Sequence, residues 1–142
     1  MRIRDILQTK GSDVVVIATD SSVRDLVALL RQHNLGAVIV STDGTTMTGI
    51  VSERDVVRRL ATDADVLSAR VADVMTDVVH TCSPQDSVDS LMATMTDHRI
   101  RHLPVLDADG HLSGIVSIGD VVKSTITTLQ YERDRLQEYV SS

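Results

Sequence analysis

The 142 residues predict an α+β fold, α/β-like in its alternation. Two β-α-β-β-α repeats related by pseudo-twofold symmetry pack sheet to sheet, and an extended C-terminal helix follows. Three observations predict this. Gly49-Ile50-Val51-Ser52 recurs as Gly114-Ile115-Val116-Ser117, and holding that 65-residue offset aligns 14 identities in 44 pairs from Val14–Val57 onto Val79–Val122, which establishes a duplication. Within each copy the apolar period switches between strand-like runs and a helical spacing of three and four. Beyond residue 124 the apolar residues thin to a single seam.

The elements follow in order. Ile3–Leu7 matches Val71–Met75 at an offset of 68, so the first copy carries three extra residues around Lys10–Asp13. Val14–Ile17 and Val78–Cys82 are short apolar runs, expected as strands. Asp20-Ser21-Ser22 and Gln85-Asp86-Ser87 supply N-cap chemistry. Val23, Leu26, Val27 and Leu30, matched by Val88, Leu91, Met92 and Met95, then form the apolar face of a helix. Ala37–Ser41 and Thr48–Ser52 are β-rich runs around a Thr42-Asp43-Gly44 turn, and His102–Leu106 and Ser113–Ser117 are their counterparts. A second helix starts at Glu53 or Ile118. The repeats span 1–61 and 70–124, the polar stretch 62–69 connects them, and 125–142 is the helical extension.

Composition excludes several classes. A net charge of −6, a pI near 5.2, no Phe or Trp, and tyrosines only at 131 and 139 argue against nucleic-acid binding, because base-stacking platforms are missing. No apolar run approaches the ~18 residues of a membrane span, and the N-terminal residues lack a signal-peptide apolar region. Cys82 is the single cysteine and makes no internal disulfide, which suits a reducing compartment, expected to be the cytoplasm. It is expected as a buried, inert thiol. No Ser-His-Asp or Cys-His arrangement supports catalysis, so the chain is expected not to be an enzyme. His98 and His102 have i,i+4 spacing, but a helix break near Arg99–Arg101 separates them, and no metal site is expected.

Ser52 and Ser117, each three residues before an aspartate, have the spacing of a helix-capping box. A helix start of this kind also offers N–H groups to an anion, and a carboxylate there suits vicinal ribose hydroxyls.

Two β-α-β-β-α repeats that each end Gly-Ile-Val-Ser-x-x-Asp-Val-Val resemble a tandem pair of cystathionine-β-synthase (CBS) domains, a Bateman module. The likeness covers about residues 1–124. Arg101-His102-Leu103-Pro104-Val105 is a second family-like string, from which the first copy departs with Ala37-Val38-Ile39-Val40. The resemblance implies that Asp55 and Asp120 hold ribose and that Ser52 and Ser117 contact phosphate or sugar. Arg54 and Arg58, four apart on one helix face, then invite a phosphate. In the second copy Ile118-Gly119 replaces Glu53-Arg54, and Arg101 and His102 are expected to compensate there. An adenine slot without aromatics is expected to be aliphatic, with Val15, Ile17, Val38 and Ile50 as candidates.

Ile126, Leu129, Leu136 and Val140 fall on a 4-3-4-3-4 seam completed by Val122 and Arg133, a spacing of the coiled-coil type. Pairs of this family commonly dimerise, so a homodimer is expected. The resemblance implies a non-enzymatic sensor that needs no cofactor. It would bind AMP, ADP, ATP or NAD and pass the ligand state to an unidentified protein partner. A ligand-free dimerisation or adaptor module is the alternative. A fragment regulating an enzyme like IMP dehydrogenase ranks below both, since the ~250-residue catalytic barrel is missing.

Overall fold

A computed structural model describes residues 1–77 and 80–141. In chain order the elements are α1 (Ile3–Lys10), β1 (Val16–Ile17), α2 (Val23–His33), β2 (Ala37–Val40), β3 (Gly49–Ser52), α3 (Glu53–Leu60), a 3-10 turn (Val66–Ser68), α4 (Val71–Val74), α5 (Val88–His98), β4 (His102–Leu106), β5 (Leu112–Ser117) and α6 (Ile118–Ser141). The mixed helix and sheet content and the long C-terminal helix agree with the expected α+β class.

Local chemistry explains the boundaries. Ser22 and Ser87 accept the N–H of Asp25 and Ser90 and so cap α2 and α5. Both helices end on a left-handed residue at the same place in the repeat, Asn34 (φ 53°) and Arg99 (φ 54°). Asparagine adopts this conformation readily, whereas a long side chain does so at some cost. In the first repeat β1 pairs parallel with β2, and β2 antiparallel with β3, in the order β1-β2-β3. The second repeat forms the two-stranded sheet β4-β5.

Three expectations are corrected. β1 covers Val16 and Ile17 alone, because only these pair with β2, opposite Ile39 and Val40. Val78 and Val79 of the expected second-copy strand lie outside the described residues. Of the remainder, Cys82 makes an isolated parallel bridge to Val105. Val27 and Met92 are 40% and 41% exposed, since each sits at the rim of its apolar stripe while Leu26 and Leu91 occupy the centre.

The packing crosses the sequence repeats. Ile3, Ile6 and Leu7 of α1 join Val88, Leu91, Met95, Leu103, Val105, Val116 and Val121 in one core. Val71 of α4, with Met75, joins Ile17, Leu26, Leu30, Val38, Val40 and Val51 in the other. Backbone bonds secure both crossings. Ile3 N–H donates to Asp86 O and Val88 N–H to Met1 O, while Val23 N–H donates to Ala69 O and Val71 N–H to Ser21 O. Each leading helix therefore serves the other repeat's sheet.

The repeated glycines sit where these exchanged segments approach. A Cβ on Gly49 would lie 2.7 Å from the Thr76 carbonyl oxygen, and one on Gly114 would lie 2.8 Å from Leu7 Cδ2. A backbone atom cannot swing aside as a leucine methyl can. Gly49→Ala is therefore expected to cost about 1–3 kcal/mol of stability, and Gly114→Ala distinctly less. Urea unfolding of the two variants checks the order, and equal losses would contradict it.

Candidate functional site

A cavity of about 500 Å³ opens between the repeats, within the range of small-ligand sites. From the first repeat it is lined by Gly36, Ala37, Ile50, Ser52, Glu53, Arg54, Asp55 and Arg58. From the segment between α4 and α5 come Thr76 and His80, and from the end of α5 and the start of β4 come residues 98–102. The strands meet closely at its floor, where a Cβ on Gly36 would stand 3.4 Å from His102 Cε1.

Asp55 is oriented by a capping box. Its Oδ2 accepts the Ser52 N–H at 2.8 Å and the Ser52 hydroxyl at 3.1 Å, while Ser52 Oγ accepts the Asp55 N–H at 3.3 Å. Asp55 Oδ1 makes no hydrogen bond among the described residues. The Glu53 N–H donates to Gly36 O at 3.0 Å. The α3 N-terminus is thus largely satisfied internally, contrary to the expected row of free N–H groups. Attraction for an anion must come from side chains instead.

Those side chains are abundant. Arg54, Arg58, Arg99 and Arg101 line the cavity, and among the described residues none of them forms a salt bridge. They face two carboxylates, Glu53 and Asp55, so the cleft is cationic in a chain of net charge −6. His80 and His98 stack at its mouth with ring centroids 3.9 Å apart. Burial lowers the His102 pKa; Lys10 and Arg101 add to this, and Asp120 and Glu53 oppose it. The neutral imidazole is therefore favoured, and stability contributed by that form falls away as pH drops below the ordinary histidine value.

The structure gathers Ser52, Arg54, Asp55, Arg58, Arg101, His102 and Ile50 around one cavity. Arg101 and His102, which the sequence reading put with Asp120, line the cleft of Asp55, and His102 also feels the charges of Asp120 and Lys10. The cavity draws on both repeats, which is why basic residues of the second copy reach it. Ile17 and Val38 are corrected to core positions, buried against Leu26 and Val51, and Val15 packs on the same cluster. Strand alternation explains this, since Val38 and Val40 face the core and Ala37 faces the cavity. Gly36, Ala37, Thr76 and His80 were not anticipated as lining residues. Arg99 lies at the left-handed end of α5, where the sequence reading expected the helix to break.

Ser117 and Asp120 form the matching capping box at the start of α6. Here Lys10 Nζ donates to Asp120 Oδ2 at 2.6 Å and to Ile115 O at 2.7 Å. Burial works to raise the Asp120 carboxyl, yet hydrogen bonds from Lys10 and Ser117 hold it below its ordinary value.

Elsewhere, burial, aided by the Asp86 charge, pushes the Cys82 thiol up to about 12, which leaves it unreactive at neutral pH. Asp107, Asp109 and His111 cluster at the exposed β4–β5 turn, where Asp107 Oδ1 accepts the N–H groups of the other two. That is turn chemistry. The seam residues Ile126, Leu129, Leu136 and Val140 are 51%, 59%, 65% and 82% exposed, so α6 leaves the body of the chain rather than folding back on it. No helix among the described residues is long and apolar enough to cross a membrane.

Comparison with known proteins matches the CBS domain twice, over residues 3–62 and 71–126. The chain is 36% identical over 147 residues to the mitochondrial CBS domain-containing protein CBSX3 of Arabidopsis thaliana, covering 97% of this chain and 71% of that one. A crystal structure of a CBS-domain-containing protein from Agrobacterium tumefaciens superposes with a TM-score of 0.84 at 40% identity, over 88% of this chain and 99% of the other. A structure of CBSX2 in complex with AMP shares the fold at a TM-score of 0.74 and 24% identity, over 89% and 97% of the two chains.

Proposed function

Because the chain belongs to the CBS-domain family and consists of a tandem pair, a class of regulatory module, we propose that it is a non-enzymatic sensor of an adenine nucleotide bound in the cleft of Asp55. The observation that carries this is the set of four arginines, without a salt bridge among the described residues, around a capped carboxylate in a cavity of about 500 Å³. Guanidinium groups bind phosphate oxygens in pairs. Asp55 Oδ1 stands ready to accept from ribose hydroxyls, with Ser52 beside it. Arg54 and Arg58 project from successive turns of α3, and Arg101 faces them from the other repeat. Ile50 and Ala37 offer an aliphatic surface for the base. AMP, ATP and NAD all suit this chemistry, and the bound AMP of CBSX2 supports the same class.

Signalling then follows from position. The cleft is lined by both repeats, so a ligand that touches both favours one relative arrangement, and that preference is what a protein partner reads. We assign the chain to a reducing compartment, the cytoplasm, on its lone cysteine.

The experiment is a thermal-shift titration with AMP, ATP, NAD and GTP. A ligand at 100 times its dissociation constant adds about 2.7 kcal/mol, a shift of several degrees. Adenylates are expected to shift the midpoint and GTP is not. No shift with any of them supports the adaptor reading with empty clefts.

The exposed seam supports a homodimer through α6. A 24-residue helix spans about 36 Å. With Val121 its sole buried residue, little of that length is held by the chain's own core. Leu129→Glu with Leu136→Glu is expected to convert a dimer to a monomer in sedimentation equilibrium while the midpoint shift with AMP persists. An unchanged mass would remove α6 as the interface.

A further inference from the structure

The two clefts are built on the same capping box and differ in what reaches the carboxylate. Asp55 has no cation bonded to it among the described residues, whereas Asp120 is paired with Lys10 at 2.6 Å. We propose that the second cleft is latched from within: the Lys10 ammonium docks on Asp120 Oδ2 and neutralises the carboxylate that a ligand would need, leaving the chain one open nucleotide cleft and one that accepts a ligand only when Lys10 withdraws. The ligand identity rests on the function proposed above; the latch itself does not.

The asymmetry has a structural origin. α4 stops at Val74, and the chain beyond it turns to pair with β3, Thr76 N–H donating to Ile50 O at 2.8 Å and Ile50 N–H to Thr76 O at 3.2 Å. α1 is twice as long and remains helical through Lys10, ending on Gly11 at φ +100°. Its backbone cannot pair with β5 as Thr76 pairs with β3. The carbonyl of Ile115, the counterpart of Ile50, is satisfied by the Lys10 ammonium instead. Lys10 thus bonds both a strand carbonyl and the Asp120 carboxylate. The pair is partly shielded, its side chains 34% and 21% exposed, so solvent screens it less than an open surface pair.

The rest of the second cleft is poor in competing cations. Ile118 and Gly119 stand where the first cleft has Glu53 and Arg54, and Lys123 replaces Arg58. A ligand arriving there meets a carboxylate already neutralised, and no arginine on the helix start to draw its phosphate. Affinity is lowered by the fraction of time Lys10 is docked.

Two readouts test this separately. Lys10 and Lys123 are the only lysines in the sequence, so acetylation with an N-hydroxysuccinimide ester can be followed site by site in the full chain by mass spectrometry. Lys10 is expected to react about fivefold more slowly than Lys123, and Asp120→Asn is expected to remove that protection. Calorimetry with AMP is expected to give one site per chain in the wild type, two in Lys10→Met, and one again in Lys10→Met/Asp120→Ala. Circular dichroism checks that each variant is folded. Lys10 reacting as fast as Lys123 overturns the latch. A stoichiometry of one in Lys10→Met, or of two in the wild type, overturns the occlusion. If neither wild type nor Lys10→Met binds AMP, the nucleotide reading falls, and the acetylation rates alone decide the latch.

Discussion

Replacing Ile3 by alanine is expected to loosen the half of the molecule that carries residues 88–121, although Ile3 belongs in sequence to the other repeat. Ile3 is fully buried among Leu91, Leu103, Val116 and Val121. Truncating a buried isoleucine costs about 2–5 kcal/mol, part of it lost transfer energy and part the cavity left behind. A domain of this size has only about 5–15 kcal/mol in total, so the loss is a large share. Native-state hydrogen exchange should show the amides of α5, β4 and β5 exchanging faster, with those of α2, β2 and β3 less affected. Val71→Ala is the mirror test. Val71 is buried against Leu26 and Val51, so about 2 kcal/mol should be lost from the half holding α2. Faster exchange confined to α2, β2 and β3 in Ile3→Ala would contradict the crossed packing.

Asp55→Ala is expected to weaken adenylate binding by a factor of about 100 or more while leaving the chain folded. A hydrogen bond to a charged group contributes about 1.5–3 kcal/mol, and a carboxylate holding two vicinal hydroxyls makes two of them. The same change removes half of a capping box, which costs the helix about 0.5–2 kcal/mol. Asp55→Asn separates the effects, since the amide oxygen still caps α3 while the charge is gone. Both variants should retain their circular dichroism, and both should fail to shift with AMP. The Arg58→Ala variant should lose less, because Arg54 and Arg101 remain in the cavity. Wild-type affinity in Asp55→Ala would remove Asp55 from the site.

Much of the fold was legible because it was written twice. One copy of Gly-Ile-Val-Ser is a common strand end, but two copies at one offset define a unit, and the serine caps then place α2, α3 and α5 within a residue. Capping is a contact between near neighbours, so sequence spacing reports it directly. Val38 was misplaced because four consecutive apolar residues, Ala37–Val40, hide the alternation of a strand covered on both faces. Arg101 and His102 were recognised as basic residues near a site, but that they also line the cleft of the other repeat's Asp55 was not legible, since sequence proximity suggested their own repeat.

By itself the sequence determined the duplication, the capped helix starts, the arginine pair on α3 and the exposed seam on α6. All of these are set by residues a few positions apart, where propensity and hydrogen bonding decide the outcome. Only the tertiary structure decided that α1 and α4 exchange cores, that the cationic segment 99–102 completes the cleft of Asp55, and that Lys10 rather than open solvent meets Asp120. Those contacts join residues tens of positions apart, up to 110 for Lys10 and Asp120. They depend on where a helix happens to stop and which strand edge is left unpaired, and such long-range closures leave no periodic trace in a single chain.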